Sequence, residues 1–496
     1  MNKRMPPIDR ERSLTRRALL QRTAWITAAA TLPPVARITA ADISPVMARL
    51  STYMSEARNR ALPDGVVEAA KHHILDTLAA MISGSELPPG RAAINFAKNY
   101  GGEKIAMVVC SHQLCGPIEA ALANGLLAHS DETDDAHTAS LSHPGCAVVP
   151  AALAAGERFG IGGTQFLRAV VLGYDVGTRI VAALGGAPLQ NEGHRSTHTF
   201  AGIFGAAAAA ACNANLNAQQ MRWVLDYTAQ QCSGIAAWQR DTQHIEKGFV
   251  YAGMPARGGV TSALLVESGW TGVDDIFSGA DNFLEAYALQ AFPESLVEKL
   301  GDRYEVTQTD IKKWTVGAPI QAPLDAMEAL LKRHPFNADQ VQKVTVKIGT
   351  TPARVVNNRE MPDICLQHMV AVMLLDKTAT FKSAHDKARM NEAEILKQRA
   401  KVQLIGDADL ERLLPRREAI VEVTLTDGTK LTEHISAVRG TPANPMPREE
   451  VVAKARDLIA PVLGAETAAS LIEKIFNLES VKNIRELRPV LQPPII

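Results

Sequence analysis

Residues 129–145 read HSDETDDAHTASLSHPG, four acids and three histidines in seventeen positions closed by His-Pro-Gly. Carboxylates beside imidazoles can bind a metal, move protons near neutral pH, or do neither at the solvated end of a helix. The preceding IEAALANGLLAHS has helical spacing, which puts Asp131 to His137 at or beyond a helix C-terminus, where acids oppose the dipole. Pro144 and Gly145 break the chain before the next helix, so the acids fall on a loop between two rigid elements. Asp134, Asp135, His137 and His143 carry suitable ligand atoms, but their spacing matches neither HExxH nor an EF-hand loop, and no Cys pair accompanies them. The expectation is a site with no metal.

Two further stretches carry chemistry. In HRSTHTFAGIFGAAAAA, His194 and His198 lie i and i+4 at the entry of a small-residue helix, with Ser196 and Thr197 as caps. A histidine there can meet an anion or simply cap its own helix. In QCSGIAAWQRDTQHIEKGFVYAGMPARGG, Arg240, Lys247 and Arg257 bring cations into a glycine-interrupted segment suited to carboxylates. His72, His73 and Asp76 in KHHILD lie along an amphipathic helix and read as core or surface residues, outside the site.

The positioning elements divide the chain. From about Ile43 to Ala291, apolar residues recur at helical spacing between glycine-containing breaks, which predicts an all-helical first unit over residues 43–300. Past Tyr304 the pattern alternates in VQKVTVKIG (341–349), KVQLIG (401–406) and AIVEVTLTDGTKLTEHI (419–435), the last with Asp427-Gly428 as its hairpin turn. This predicts a smaller α+β unit over residues 304–440, and a helical segment at 447–496 returning to the first unit.

With 496 residues, 46% of them hydrophobic, the chain can bury a large core. Residues 1–40 hold eight basic and two acidic residues, leaving 44 Lys+Arg against 51 Asp+Glu in the remainder. An acidic body with 5% aromatics argues against a nucleic-acid partner, and no apolar run suggests a membrane span. Arg16-Arg17, an Ala-rich apolar run and small residues before Ala40 resemble a twin-arginine export signal, which predicts a periplasmic protein. The six cysteines are too scattered for a disulfide scaffold; Cys110 and Cys115 either pair or stay as thiols.

In this order ILDTLAAMISG, NGLLAHSDETDDAH, SHPGCAVVPAALAAGE, LGYDVGTRI, HTFAGIFGAAAAAAC, SGIAAWQRDTQHIEKGFVYAGMPARGG and LQHMVAVMLLD resemble the MmgE/PrpD family of 2-methylcitrate dehydratases, cis-aconitate decarboxylases and relatives. The resemblance runs from about residue 45 to the end. It implies a mainly α fold, a large helical domain with an inserted α+β lid, a site between the two, a homodimer, and no cofactor. It places His143, His198 and Lys247 at catalytic positions and Glu132 where the decarboxylase branch has Asp. It also sets Ala136 where that branch has Thr, Gln321 where many members have a histidine, and Val250 where another is often found.

The implied substrate is a small di- or tricarboxylate. Dehydrating a β-hydroxy acid needs a base for C–H, an acid for the hydroxyl, and cations for the carboxylates. The expectation is that His143 and His198 are the acid/base pair and that Lys247 and Arg257 stabilise charge. Gln321, which cannot move a proton, orients a carboxylate. Decarboxylation or epimerisation would use the same groups, and a non-catalytic carboxylate-binding protein would need only the cations.

Overall fold

The computed structural model describes residues 43–493, so the twin-arginine-like stretch lies outside the described residues. Nine longer helices form the first part of the chain. They are α1 (Pro45–Glu56), α2 (Asp64–Gly84), α3 (Pro88–Tyr100), α4 (Pro117–Ala128), α5 (Gly145–Phe159), α6 (Gly163–Ala183), α7 (Thr197–Asn213), α8 (Ala218–Gln231) and α9 (Met254–Glu267). The fold is mainly α, as expected. The all-helical reading of this region needs one correction: β1 (Ala106–Met107) and β2 (Leu114–Cys115) form a two-residue antiparallel ladder. A ladder this short has no room for the alternation that would reveal it in sequence. Cys110 and Cys115 are free thiols.

Helix α7 runs through the centre, and every residue from Thr197 to Asn213 is buried. A helix apolar on all sides must be enclosed on all sides, and alanine combines high helix propensity with a small contact radius. It packs on α5, α6 and α9. Where α6 meets α7, a Cβ added at Gly205 would sit 2.7 Å from the Gly173 carbonyl oxygen, so only glycine permits this approach.

One hydrophobic core draws on residues 46–311 and again on 446–491, so the last helices, α12 (Arg448–Leu463) and α13 (Ala465–Phe476), share the core of the first. Lys454 of α12 reaches the acid-rich loop: its Nζ donates to the Thr133 carbonyl at 2.9 Å and lies 2.6 Å from Asp76 Oδ1 of α2. A second core takes residues 314–423. There α10 (Ala318–Arg333) and α11 (Leu366–Asp376) pack with a sheet of β3 (Val341–Gly349), β4 (Val402–Asp407), β5 (Ala419–Leu425) and β6 (Lys430–Ile435) in the order β4-β3-β5-β6. β3 runs parallel to β4 and antiparallel to β5; β5 and β6 form the expected hairpin, with Gly428 at φ 90° in its turn. Among the described residues, no helix is long and apolar enough to cross a membrane.

Candidate active site

The acid-rich loop is not a solvated helix end, because every residue from His129 to His137 is buried. Burying this many charges is tolerable only where each finds partners. Asp131 accepts from the Thr133 backbone N–H at 3.0 Å and from its hydroxyl. Asp135 accepts from the Gly145 N–H at the start of α5 at 3.0 Å, from His73 at 2.9 Å and from the Tyr174 hydroxyl. Ala136 exchanges backbone bonds of 2.9 and 2.8 Å with Asp310, on the segment joining the two cores. His73 and Asp76, read from sequence as bystanders, therefore lie directly beneath this loop.

Asp134 organises the imidazoles. Its Oδ1 lies 2.9 Å from His129 Nδ1 and 3.2 Å from His143 Nδ1, with Lys312 Nζ at 3.8 Å. Burial alone would raise this carboxyl, but the two histidines and Lys312 hold it well below the usual range. An ionised carboxylate can only accept, so each Nδ1 carries a proton and donates it to Asp134. Burial pushes His143 down to about 4, Asp134 offsetting only part, so its imidazole is neutral at pH 7.

Cap geometry places His198 beside it. Ser196 accepts from the Thr199 N–H as the N-cap of α7, and the rings of His198 and His143 lie 5.2 Å apart. His198 is held well below its ordinary value by burial and then by His143 and Lys247. The Tyr251 ring stacks on His198 at 3.6 Å and on His129 at 4.7 Å. Tyr251 sits in a π-helical turn, Phe249–Gly253, leading into α9; such turns re-aim side chains at functional sites. Thr199 ties that turn to α7 by donating to the Val250 carbonyl at 2.8 Å.

On the other side, Lys247 Nζ pairs with Glu132 Oε1 and lies 5.1 Å from the centre of the Tyr251 ring and 5.6 Å from that of Trp238. Lys312 donates to the Glu132 carbonyl at 2.7 Å. Against the burial that opposes it, these two lysines hold Glu132 well below its usual value. His244, at φ 64°, puts its ring 5.0 Å from His129, and burial pushes it down to about 3. From the second core His385 Nε2 reaches Asp131 Oδ2 at 2.8 Å; burial opposes its charge, but the Asp131 bond and charge outweigh it and raise His385 to about 9.

Glu132, His143, His198 and Lys247 thus converge, and two sequence-predicted residues do not join them. Arg257 is exposed on α9. Gln321 is buried, but its amide donates both hydrogens to the Trp314 and Val316 carbonyls, at 2.8 and 2.9 Å, and accepts from the Trp314 N–H at 3.1 Å. It secures the chain at the start of α10 and has no hydrogen left for a substrate. His194 and Arg240 are exposed. His129 stood in the opening stretch without being singled out, and sequence reasoning missed Tyr251, His244, Lys312 and His385, whose relevance arises only from packing.

His129, Asp134 and His143 also present three ligand atoms within 4.8 Å of one another. Both imidazole nitrogens already give their protons to the same carboxylate oxygen, and an ammonium stands beside it. The donor set forms a hydrogen-bonded triad, and a cation bound through Nδ1 of both histidines and Oδ1 would have to displace both bonds.

Fold and site together describe a mainly α protein in which the neutral imidazoles of His143 and His198 lie close to a largely buried lysine–glutamate pair. The model of the MmgE/PrpD N-terminal domain matches residues 48–294, and that of the MmgE/PrpD C-terminal domain matches residues 314–479. The chain belongs to the MmgE/PrpD family, a family of enzymes with lyase activity. The cis-aconitate decarboxylase of Aspergillus terreus is 24% identical over 469 residues, 88% of this chain and 93% of that protein. The cis-aconitate decarboxylase of Homo sapiens is 26% identical over 459 residues, 87% of this chain and 92% of that protein. The cis-aconitate decarboxylase-like protein oryM of Aspergillus oryzae is 27% identical over 324 residues, 60% of this chain and 65% of that protein, just under two thirds of its length.

Proposed function

We propose that this protein is a lyase that dehydrates a small β-hydroxy carboxylate, with His143 and His198 as its proton-transfer groups. The observation that carries the reading is the bond from His143 Nδ1 to ionised Asp134, which leaves Nε2 as a base beside a second neutral imidazole. His143 takes the proton from the carbon next to the carboxylate, and the electron pair moves into that carboxylate beside Lys247. Asp134 stabilises the imidazolium that forms. The pair then returns to form the alkene, the C–O bond breaks, and the leaving hydroxyl takes a proton from the imidazolium directly or through His198. Water is the only product besides the alkene, and each imidazole ends as it began.

Decarboxylation is the second reading, favoured by the names of the relatives. There the C–C bond to a carboxylate breaks, CO2 departs, and the resulting carbanion takes a proton that solvent supplies through the same pair. NMR in D2O with 2-methylcitrate, citrate, cis-aconitate, malate and 3-hydroxybutyrate separates the outcomes: alkene and lost hydroxyl for dehydration, lost CO2 for decarboxylation, bare deuterium incorporation for epimerisation. His143→Gln and His198→Gln should each lower turnover by about 10²-fold or more while remaining folded. Folded variants with nearly full turnover would remove both histidines from the mechanism.

A further inference from the structure

The proposed mechanism gives no task to Trp238, although its ring lies 5.7 Å from that of His198 and 4.7 Å from that of Tyr251, nearly perpendicular to both. The turn that carries it, Ala236–Arg240, buries none of its residues and is tied at each end to an element of the site. On one side the Gly234 carbonyl accepts from the Ser196 N–H, at the start of α7, at 3.1 Å; on the other, Asp241 accepts from the Lys247 N–H at 2.9 Å. Trp238 is thereby held between the helix start that presents His198 and the turn that presents Lys247, whose Nζ is 5.6 Å from its ring centre.

Nothing in the fold uses the one polar atom of this side chain. Nε1 is buried and has no hydrogen-bond partner among the described residues, and neither has Nδ1 of His198. A buried indole N–H ordinarily finds an acceptor, and leaving one unpaired costs stability. The aromatic faces beside it accept only weakly. An indole N–H can only donate, whereas a neutral imidazole offers one donor and one acceptor nitrogen. A hydroxyl, which accepts and donates, can answer both groups whichever nitrogen of His198 carries the proton; an ionised carboxylate only accepts and is better met by a cation, which Lys247 supplies. We infer that Trp238 is a specificity-determining residue that donates its indole N–H to the hydroxyl of the substrate, beside His198. This assignment rests on the reading of the site under the proposed function and names what selects a hydroxy acid over the same acid without its hydroxyl. The indole gives up no proton: as the C–O bond breaks, its hydrogen bond steadies the charge building on the leaving oxygen, and the proton comes from the imidazole pair as before.

The test is calorimetric binding, at pH 7, of three pairs of equal charge to the full-length protein and to Trp238→Phe: malate with succinate, citrate with tricarballylate, and 3-hydroxybutyrate with butyrate. Phe keeps an aromatic ring and removes the N–H, and the denaturant midpoint checks that the variant is folded. The wild type should bind the hydroxy acid of at least one pair about tenfold or more tighter than its partner, and in Trp238→Phe that preference should fall by about tenfold. In wild type isotopically labelled at its five tryptophan side chains, one indole N–H resonance should move downfield with that hydroxy acid and stay in place with its partner, a reading that does not depend on the variant. No preference in any pair, a preference unchanged in the variant, an equal loss of affinity for both members of a pair, or no binding of any compound would each overturn the assignment. Binding is read without turnover, so an unchanged preference in a protein that dehydrates malate would sink this inference and leave the proposed function standing. A preference lost in the variant of a protein that converts none of the compounds would do the reverse.

Discussion

In the proposed mechanism Asp134 is the residue on which the chemistry turns. One oxygen receives two imidazole N–H groups, fixing the tautomers of His129 and His143 together. Charge-assisted bonds of this kind contribute about 1.5–3 kcal/mol each. Replacing Asp134 with Asn keeps the shape but offers a neutral oxygen and an NH2 group that donates, so His143 can turn its proton to Nε2. Steady-state kinetics of Asp134→Asn should show kcat lower by about 10²-fold or more, with KM changed far less, because the interaction matters most when the imidazolium forms. An unchanged kcat would mean that the tautomer is set elsewhere. The same residue was visible in the sequence as one acid among four; nothing local distinguished it from Asp135, which spends its oxygens on Gly145, His73 and Tyr174.

The elements hold these residues by close approach more than by large side chains. α7 presents His198 at its first turn and then lies flush against α6, where Gly205 meets the Gly173 carbonyl. Gly205→Ala would force backbone apart along the crossing, since a helical carbonyl cannot swing aside as a flexible side chain can. The expected cost is about 1–3 kcal/mol, read as a lowered denaturant midpoint at constant m-value. A variant as stable as the wild type would show that the crossing has slack. Helix α4 and the π-helical turn use the same device: a Cβ at Gly125 would lie 2.8 Å from the Ala252 carbonyl oxygen, next to Tyr251.

Across the whole molecule, the loop is clamped by groups far apart in sequence. Lys454 holds it from the last helices and His385 from the second core. His385 is raised to about 9, so its stabilisation is complete below its unfolded value near 6.5 and is lost as pH rises through about 9. That shift corresponds to roughly 3 kcal/mol at full effect. His143 and His244 run the other way: lowered to about 4 and about 3, they stay neutral while the unfolded chain takes up protons, so stability falls as pH drops below about 6.5. Urea unfolding across pH 5–9.5 should give a maximum near neutrality, and His385→Gln should flatten the alkaline limb while leaving the acid limb. An alkaline limb of equal slope in the variant would assign it to other groups.

Helix content, the strands at Val341–Gly349 and Ala419–Leu425, the Asp427-Gly428 turn and the convergence of Glu132, His143, His198 and Lys247 were legible in the chain. Periodicity and turn chemistry are local, and the ordered motifs pointed to one family. Only tertiary structure decided that the acid-rich loop is buried, that Asp134 serves two histidines, and that Lys312, Lys454 and His385 reach it from distant segments. It also decided against Arg257 and Gln321: one faces outward because of the rotation of its helix, and the other spends its amide on backbone nearby. Residue type and order along the chain set what each group can do, whereas solvent exclusion and pairing over long sequence separations set what each group does.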